Sequence, residues 1–554
     1  MLKHILTAAL AALYLLTLTG LAELPLIVVP TAAPEAEAPE AEAIEAMPTP
    51  ARTAQPRRVT VEEAQVEAGS APVITLGVVI SDEAVVSPFE TAEADLYSLN
   101  HLAYESVVEL DDDQKPAPLL ADRWEKNGYT WTFYLRSGVT FHNGVALTAD
   151  DVVASYERIL EAGETNPYYD NIQSISSMNV LDGNTLSVTM KSLAYLNIYA
   201  MTFPVAQRAT LYDYYPMGTG AYWFVSPQEG EFLRMERNPL WWKRQPHIGV
   251  VRVKRYAESE KLMTAFELGE IDALATRIST ASLSRKLSDR STLDFGTLQY
   301  ECLVPNTASG FLSDLAIRQA IMYGIDRNTL ASSIYQDLVS LSEVPVLPGT
   351  WLNESQSTTY YFSPERALQI LYSQGWGDEN GDGTLDRIQD GLIQELAITL
   401  IVYEEPTRSS RFDAARLIAS QLARIGIKVT VDLKSKTAVR NALRDDSFDL
   451  ALVAYNISEK PSLDFMFRST AASNYSNYSS ETMNKLLDNV AAAEEDDTLK
   501  LSMSRVQLQI VEDLPIMGLF FRNGVLISRR GIGGLSGIRS TQTFRGFEFW
   551  QPVQ

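Results

Sequence analysis

LAITLIVYEEPTRSSRFDAARLIASQLARIGIKVTVDL, Leu396–Leu433, decides the fold class. Leu396, Ile398, Leu400 and Val402 alternate as one face of a strand. Arg411–Arg424 has the spacing of a helix that stops near Gly426, and Ile427, Val429, Val431 and Leu433 alternate again. Two strands joined by one helix form a β-α-β crossover, expected to be right-handed with its strands parallel. A second helix over Lys436–Arg444 then leads to the apolar run Phe448–Ala454, read as another buried parallel strand. The folded part is therefore α/β.

The same periodicities extend outward. Trp131, Phe133 and Leu135 share one face of a strand over Trp131–Arg136, and Asp182-Gly183 is expected to turn a hairpin through positive φ into Leu186, Val188 and Met190. Between them Thr148 caps a helix with Asp151 three residues on, and Val152, Tyr156, Ile159 and Leu160 form its apolar stripe. Ser363-Pro364 and Gly375 bracket a further helix. Met483, Leu486, Leu487 and Val490 mark another, as do Leu499, Met503, Val506 and Ile510, all read as core.

A chain of 554 residues is too long for one hydrophobic core and divides into about two to four units. A net charge of −24 without a Lys/Arg cluster argues against a nucleic-acid partner, which would need a basic surface. Cys302 is the only cysteine, so no intrachain disulfide or multi-cysteine metal site can form. His4, His101, His142 and His247 are scattered, and Walker A, GxSxG and HExxH strings are absent. No cofactor and no catalytic residue are expected.

Residues 1–29 read as a signal peptide or membrane anchor, with Lys3 before the uncharged run Ile5–Ala22. Residues 30–71 are rich in Ala, Pro and Glu, as in APEAEAPEAEAIEA, and read as a disordered linker with too little apolar surface to order itself. Because no Cys follows the leader, an uncleaved anchor on a flexible stalk is expected, presenting the folded part outside the membrane; a free periplasmic or secreted chain is the alternative.

Seven ordered blocks carry a family resemblance. The longest is LRSGVTFHNGVALTADDVVASYERIL, Leu135–Leu160; the others are PLLADRWE (Pro118–Glu125), PMGTGAYWF (Pro216–Phe224), ERNPLWW (Glu236–Trp242), FELGEIDAL (Phe266–Leu274), IRQAIMYGIDRNTL (Ile317–Leu330) and LARIGIKVTV (Leu422–Val431). Over about Leu76–Phe521 the chain resembles the extracellular solute-binding proteins of ABC importers, peptide/nickel class (family 5), with Asn143 at the usual Asp and Asp150 at the usual Glu. The resemblance implies a two-lobe, type II periplasmic-binding-protein-like fold with an extra inserted domain. Domain I would comprise 72–104, 213–302 and 523–554, domain II 105–212, and domain III 303–522. It also implies a monomer that encloses a small peptide by hinge closure and delivers it to an ABC permease with cytoplasmic ATPase subunits. Alternatives are an oligosaccharide, metal chelate or other solute on the same fold, or a ligand-sensing surface receptor.

By the same resemblance Tyr104 and Glu105 stand where domain I gives way to domain II, with Tyr104 either touching ligand or belonging to the core. Gly218, Thr219 and Gly220 lie where the chain returns to domain I, as a plain turn or as a hinge or ligand contact. Asn306, at the start of domain III, is a further ligand-binding candidate. Tyr455, Asn456, Ser458 and Glu459 lie where peptide binders carry Trp and then an Asp for the peptide's α-ammonium. Here Tyr455 replaces the Trp, so either Glu459 supplies the charge or the ligand is not an ordinary free peptide. Asp378, Asn380, Asp382 and Asp386 in GDENGDGTLD resemble the start of a calcium loop, but Gln389 stands at its twelfth position; a solvated Asx-rich turn and a weak calcium site are both open.

Overall fold

The computed structural model describes residues 72–552 apart from 82–83, 91–92, 355–358, 390 and 406–409; the expected leader (1–29) and linker (30–71) lie outside the described residues. Strand β1 (Val73–Val79) buries Ile74, Leu76 and Val78 and is followed by helix α1 (Ala94–Ala103). Strands β2 (Ala121–Asn127), β3 (Thr130–Leu135), β4 (Ile175–Asp182) and β5 (Thr185–Met190) form a separate antiparallel sheet in the order β2-β3-β5-β4. Trp131, Phe133, Leu135, Leu186, Val188 and Met190 all turn inward, as period-two alternation requires.

Helix α2 (Ala149–Ala162) packs against β4, and its start has the expected chemistry: the Thr148 amide and hydroxyl both donate to the Asp151 carboxylate, at 2.9 and 2.8 Å. Two expectations need correction. Leu160 is exposed, because the buried face runs through Val152, Ser155 and Ile159 and leaves position 160 past its edge. Neither Asp182 nor Gly183 has a positive φ; the hairpin is held by the Asp182 carboxylate, which accepts the Asn184 amide at 2.9 Å.

The main sheet has eleven strands. Its further members are β6 (Tyr222–Val225), β7 (Leu233–Arg237), β8 (Val250–Tyr256), β9 (Ala273–Thr276), β10 (Arg290–Pro305), β11 (Val339–Leu341), β12 (Ala397–Tyr403), β13 (Lys428–Lys434), β14 (Leu450–Asn456) and β15 (Met517–Arg529). The order is β13-β12-β14-β10-β15-β9-β1-β8-β7-β6, with β11 beside β15. β12 pairs in parallel with both β13 and β14, which realises the crossover read from Leu396–Leu433. The last of these strands starts at Leu450 rather than Phe448, two residues later than the apolar run suggests.

β10 and β15 connect the two halves of this sheet. Arg290–Gly296 of β10 pairs only with Asn523–Arg529, whereas Gln299–Pro305 also pairs with β14; β15 in turn reaches β9 through Val525–Ser528. Between those stretches the register shifts from Gly296 to Tyr300, a bulge in β10. Thr297 repairs the interrupted ladder there: its hydroxyl donates to Arg522 O at 2.8 Å and accepts from the Gln299 amide at 3.2 Å. No described helix is long and apolar enough to cross a membrane.

Candidate ligand-binding site

Helices α3 (Ser410–Ala423) and α4 (Lys436–Arg444) cover opposite faces of the β13-β12-β14 sheet. Ala414, Ile418 and Leu422 join Leu400, Val402, Leu450 and Leu452 in one core, while Val439 and Leu443 join Ile401, Ala451 and Val453 in the other. The connection leaving β12 therefore runs over one face and the connection entering β14 over the other. In such doubly wound sheets, ligands occupy the crevice outside the carboxyl ends of the strands where the winding changes sides.

A pocket of about 1020 Å³, counting its open mouth, lies at those ends. Tyr403 comes from the end of β12, Tyr455 and Asn456 from the end of β14, Lys436 and Arg440 from α4, and Gln299 from the β10 bulge. Tyr455 is 8% exposed; its hydroxyl donates to Ser473 O at 3.1 Å and its ring stacks on Tyr475 at 6.1 Å. Leu298, the bulge residue before Gln299, does not line this pocket. It lines a second, smaller cavity with Trp351, Ile457, Ser458, Glu459 and Leu463. The two cavities thus flank one irregular turn of strand.

Glu459 already has partners within the fold. Its carboxylate accepts from the Thr541 hydroxyl and lies 3.7 Å from Arg539 Nε. Arg539 is itself buried and donates to Leu110 O and Asp111 O, each at 3.1 Å. Ser458 accepts the Lys460 amide at 3.2 Å. Asn306 is 3% exposed and its amide is occupied by the loop, donating to Asp446 O and Phe448 O and accepting from the Ala308 amide.

Tyr104, Glu105, Gly218, Thr219 and Gly220 come together at the end of α1. Tyr104 is 2% exposed, with its hydroxyl donated to Pro216 O at 3.0 Å. Glu105 accepts from Thr219 Oγ1 and Trp242 Nε1, both at 2.8 Å, and pairs with Lys243 at 3.6 Å; burial still pushes its carboxyl above the ordinary range. A Cβ on Gly218 would sit 2.0 Å from Ala103 O, and one on Gly220 2.4 Å from Leu102 O. Neither residue has a positive φ, so glycine serves close backbone approach here rather than a turn. His142 fastens the same segment, its Nδ1 accepting the Gly218 amide at 3.1 Å and its own amide donating to Gly218 O at 2.9 Å.

In the acidic loop, Asp378 accepts from the Gly383 amide and Asp382 from the Thr384 amide, while Asn380 accepts from the Asp382 amide. Asp386 is 1% exposed at the start of the short strand Asp386–Gln389. Asp378, Asn380 and Asp382 thus close turns on the loop's own backbone, whereas neither carboxylate oxygen of Asp386 has a hydrogen-bond partner among the described residues; no group of three or more His, Cys, Asp or Glu among those residues is placed to hold a metal ion.

Tyr403, Lys436, Arg440 and Gln299 were not anticipated as site residues. A signal existed for the first two: they flank carboxyl ends of strands whose β-α-β connection is legible, and those ends are where such sheets bind. Gln299 had none, since a bulge exists only once two strands are paired.

A model of "Bacterial extracellular solute-binding proteins, family 5 Middle" matches residues 115–477. The oligopeptide-binding protein AppA of Bacillus subtilis is 22% identical over 460 residues, covering 79% of this chain and 84% of AppA. The nickel-binding periplasmic protein of Escherichia coli is 21% identical over 367 residues, covering 63% of this chain and 69% of that protein. Among solved structures, the nickel ABC transporter protein of Bacillus halodurans superposes with a TM-score of 0.75 at 20% identity, covering 85% of this chain and 98% of that one. With its mixed sheet, its doubly wound crevice and a family match over most of its length, this chain belongs to the family 5 extracellular solute-binding proteins of ABC importers.

Proposed function

We propose that the chain captures a small peptide or peptide-like solute between domain I (72–104, 213–302, 523–554) and domain III (303–522), with domain II (105–212) alongside. It then hands the solute to a membrane permease driven by cytoplasmic ATPase subunits. The observation that carries this reading is the pocket at the carboxyl ends of β12 and β14, bordered by the β10 bulge that separates the two halves of the main sheet. A bulge bends the strand that the two halves share, and on this reading closure bends the chain there. Bound solute favours the closed form by its differential affinity for it. The chain's similarity to the oligopeptide-binding protein AppA supports the peptide class.

Residues 1–29 act in this proposal as an anchor and 30–71 as a stalk, which keeps the receptor at high effective concentration near its permease. Native mass spectrometry of the protein as purified is expected to show a bound solute, and small-angle scattering a smaller radius of gyration once solute is added. A constant radius across a broad solute library, with nothing copurified, would overturn the capture reading. Membrane fractionation checks the anchor: the full chain should sediment with membranes, and a chain starting at Pro72 should not.

A further inference from the structure

The two cavities beside the β10 bulge differ from a site built for a free peptide amine in one respect, the balance of unpaired charge. The pocket at the ends of β12 and β14 contains two cations, Lys436 and Arg440, and no carboxylate among its lining residues. Both side chains are exposed, and neither forms an ion pair or side-chain hydrogen bond among the described residues. This occurs in a chain whose net charge is −24, where an unpaired cation has many acids available to it. The neighbouring cations do find partners: Lys434 pairs with Asp432 at 2.6 Å, and Arg411 with Glu405 at 3.0 Å.

The adjoining cavity adds the complementary fact. Glu459 is the only carboxylate in its lining, and that carboxylate is already engaged by Thr541 and Arg539. Lys460, in the segment that joins the cavities, has no ion pair among the described residues, and burial pushes its ammonium below the usual lysine range. A solute bringing a free ammonium would find no uncommitted anion in either lining, and leaving that charge unpaired on desolvation is costly. A solute bringing a carboxylate would find two uncommitted cations, with aromatic walls from Tyr403, Phe465 and Tyr475 for an apolar body.

We propose that the captured solute is an acid whose carboxylate is held by Lys436 and Arg440, with its apolar part against Tyr403, Phe465 and Tyr475. N-blocked peptide acids and acyl amino acids fit this description, whereas peptide amides with a free amine do not. The inference rests on the capture reading above and names the solute class for the same pocket.

The test uses two randomised tripeptide pools of equal concentration, one N-acetylated with a free carboxylate and one with a free amine and a C-terminal amide. Each is equilibrated with the full chain in detergent and read by equilibrium dialysis with mass spectrometry. The acid pool should be retained about tenfold or more above the amide pool, the ratio expected when a charge-assisted pair forms on one side only. Lys436→Gln with Arg440→Gln should erase that ratio, and Lys436→Glu with Arg440→Glu should reverse it. Since both residues are exposed and unpaired, these variants should melt with the parent protein.

Equal retention of both pools, or an acid preference unchanged in the Gln variant, would overturn the anion assignment while leaving capture standing. Retention of neither pool, with no copurified solute and no change in scattering, would overturn capture and the assignment together.

Discussion

Glu459 and Arg539 stand 3.7 Å apart although 80 positions separate them in sequence, and Thr541 donates its hydroxyl to the same carboxylate. The segment after β14 is thereby tied to the C-terminal segment. Glu459→Ala would leave the buried Arg539 without its acid and is expected to lower unfolding free energy by about 1–3 kcal/mol, measured by urea titration. Glu459→Gln keeps an acceptor for Thr541 and should cost less. A loss in Glu459→Gln equal to that in Glu459→Ala would show that charge, not the hydrogen bond, is what matters.

Glu301 is completely buried on β10, just past the bulge, between Arg411 Nη2 at 2.9 Å and Arg522 Nε at 2.5 Å. Burial alone would push its carboxyl up, but the two guanidiniums outweigh it and hold the group below the ordinary range. Glu301→Gln strands two buried cations and should destabilise the fold by about 3–5 kcal/mol. A loss of less than about 1 kcal/mol by urea titration would mean Glu405 suffices for both arginines.

Gly218→Ala tests the close approach at the end of α1. The new Cβ would fall 2.0 Å from Ala103 O and 2.7 Å from Tyr104 Cδ1, and the first of these is backbone that cannot swing aside. The expected loss is about 3 kcal/mol or more, with reduced soluble yield. Gly128→Ala is a useful contrast, because nothing lies within 4 Å of a Cβ there and only its positive φ opposes the change. Its loss should stay near 1 kcal/mol.

Stability should also fall on mild acidification. Burial holds His142 at about 3, against 6.5 for a free histidine, and its Nδ1 must stay unprotonated to accept the Gly218 amide. Below pH 6.5 the unfolded chain binds a proton that the folded chain refuses, so stability rises with pH through this window. The contribution is fully present above about pH 6.5 and is lost progressively as pH falls toward 3, by up to about 1.4 kcal/mol per pH unit for this one group. Chemical denaturation between pH 7 and 4 measures the slope, and His142→Asn should flatten it. A slope identical in that variant would assign the acid sensitivity to other groups.

How much of this could be read from the chain alone differs by element. The crossover Leu396–Leu433, the capped helix after Thr148 and the inward faces of Trp131, Phe133 and Leu135 were legible, because each depends on periodicity and caps within a few residues. The exposed Leu160 was not, since a helix's apolar stripe shows which way it faces only after the sheet beneath it is placed. Of the candidate site residues, Tyr455 and Asn456 line the pocket, Ser458 and Glu459 line the neighbouring cavity, and Asn306 is committed to a loop.

Local sequence determined the α/β class, the strand and helix order and the family, because those follow from short-range pattern and motif order. Only tertiary structure decided which charges are already spent. Glu459 meets its partner Arg539, and Glu301 its partners Arg411 and Arg522, only because the fold brings side chains distant in sequence within a few ångströms. Electrostatic energy falls off with distance in space rather than along the chain, so the charge left over for a ligand is fixed by the fold.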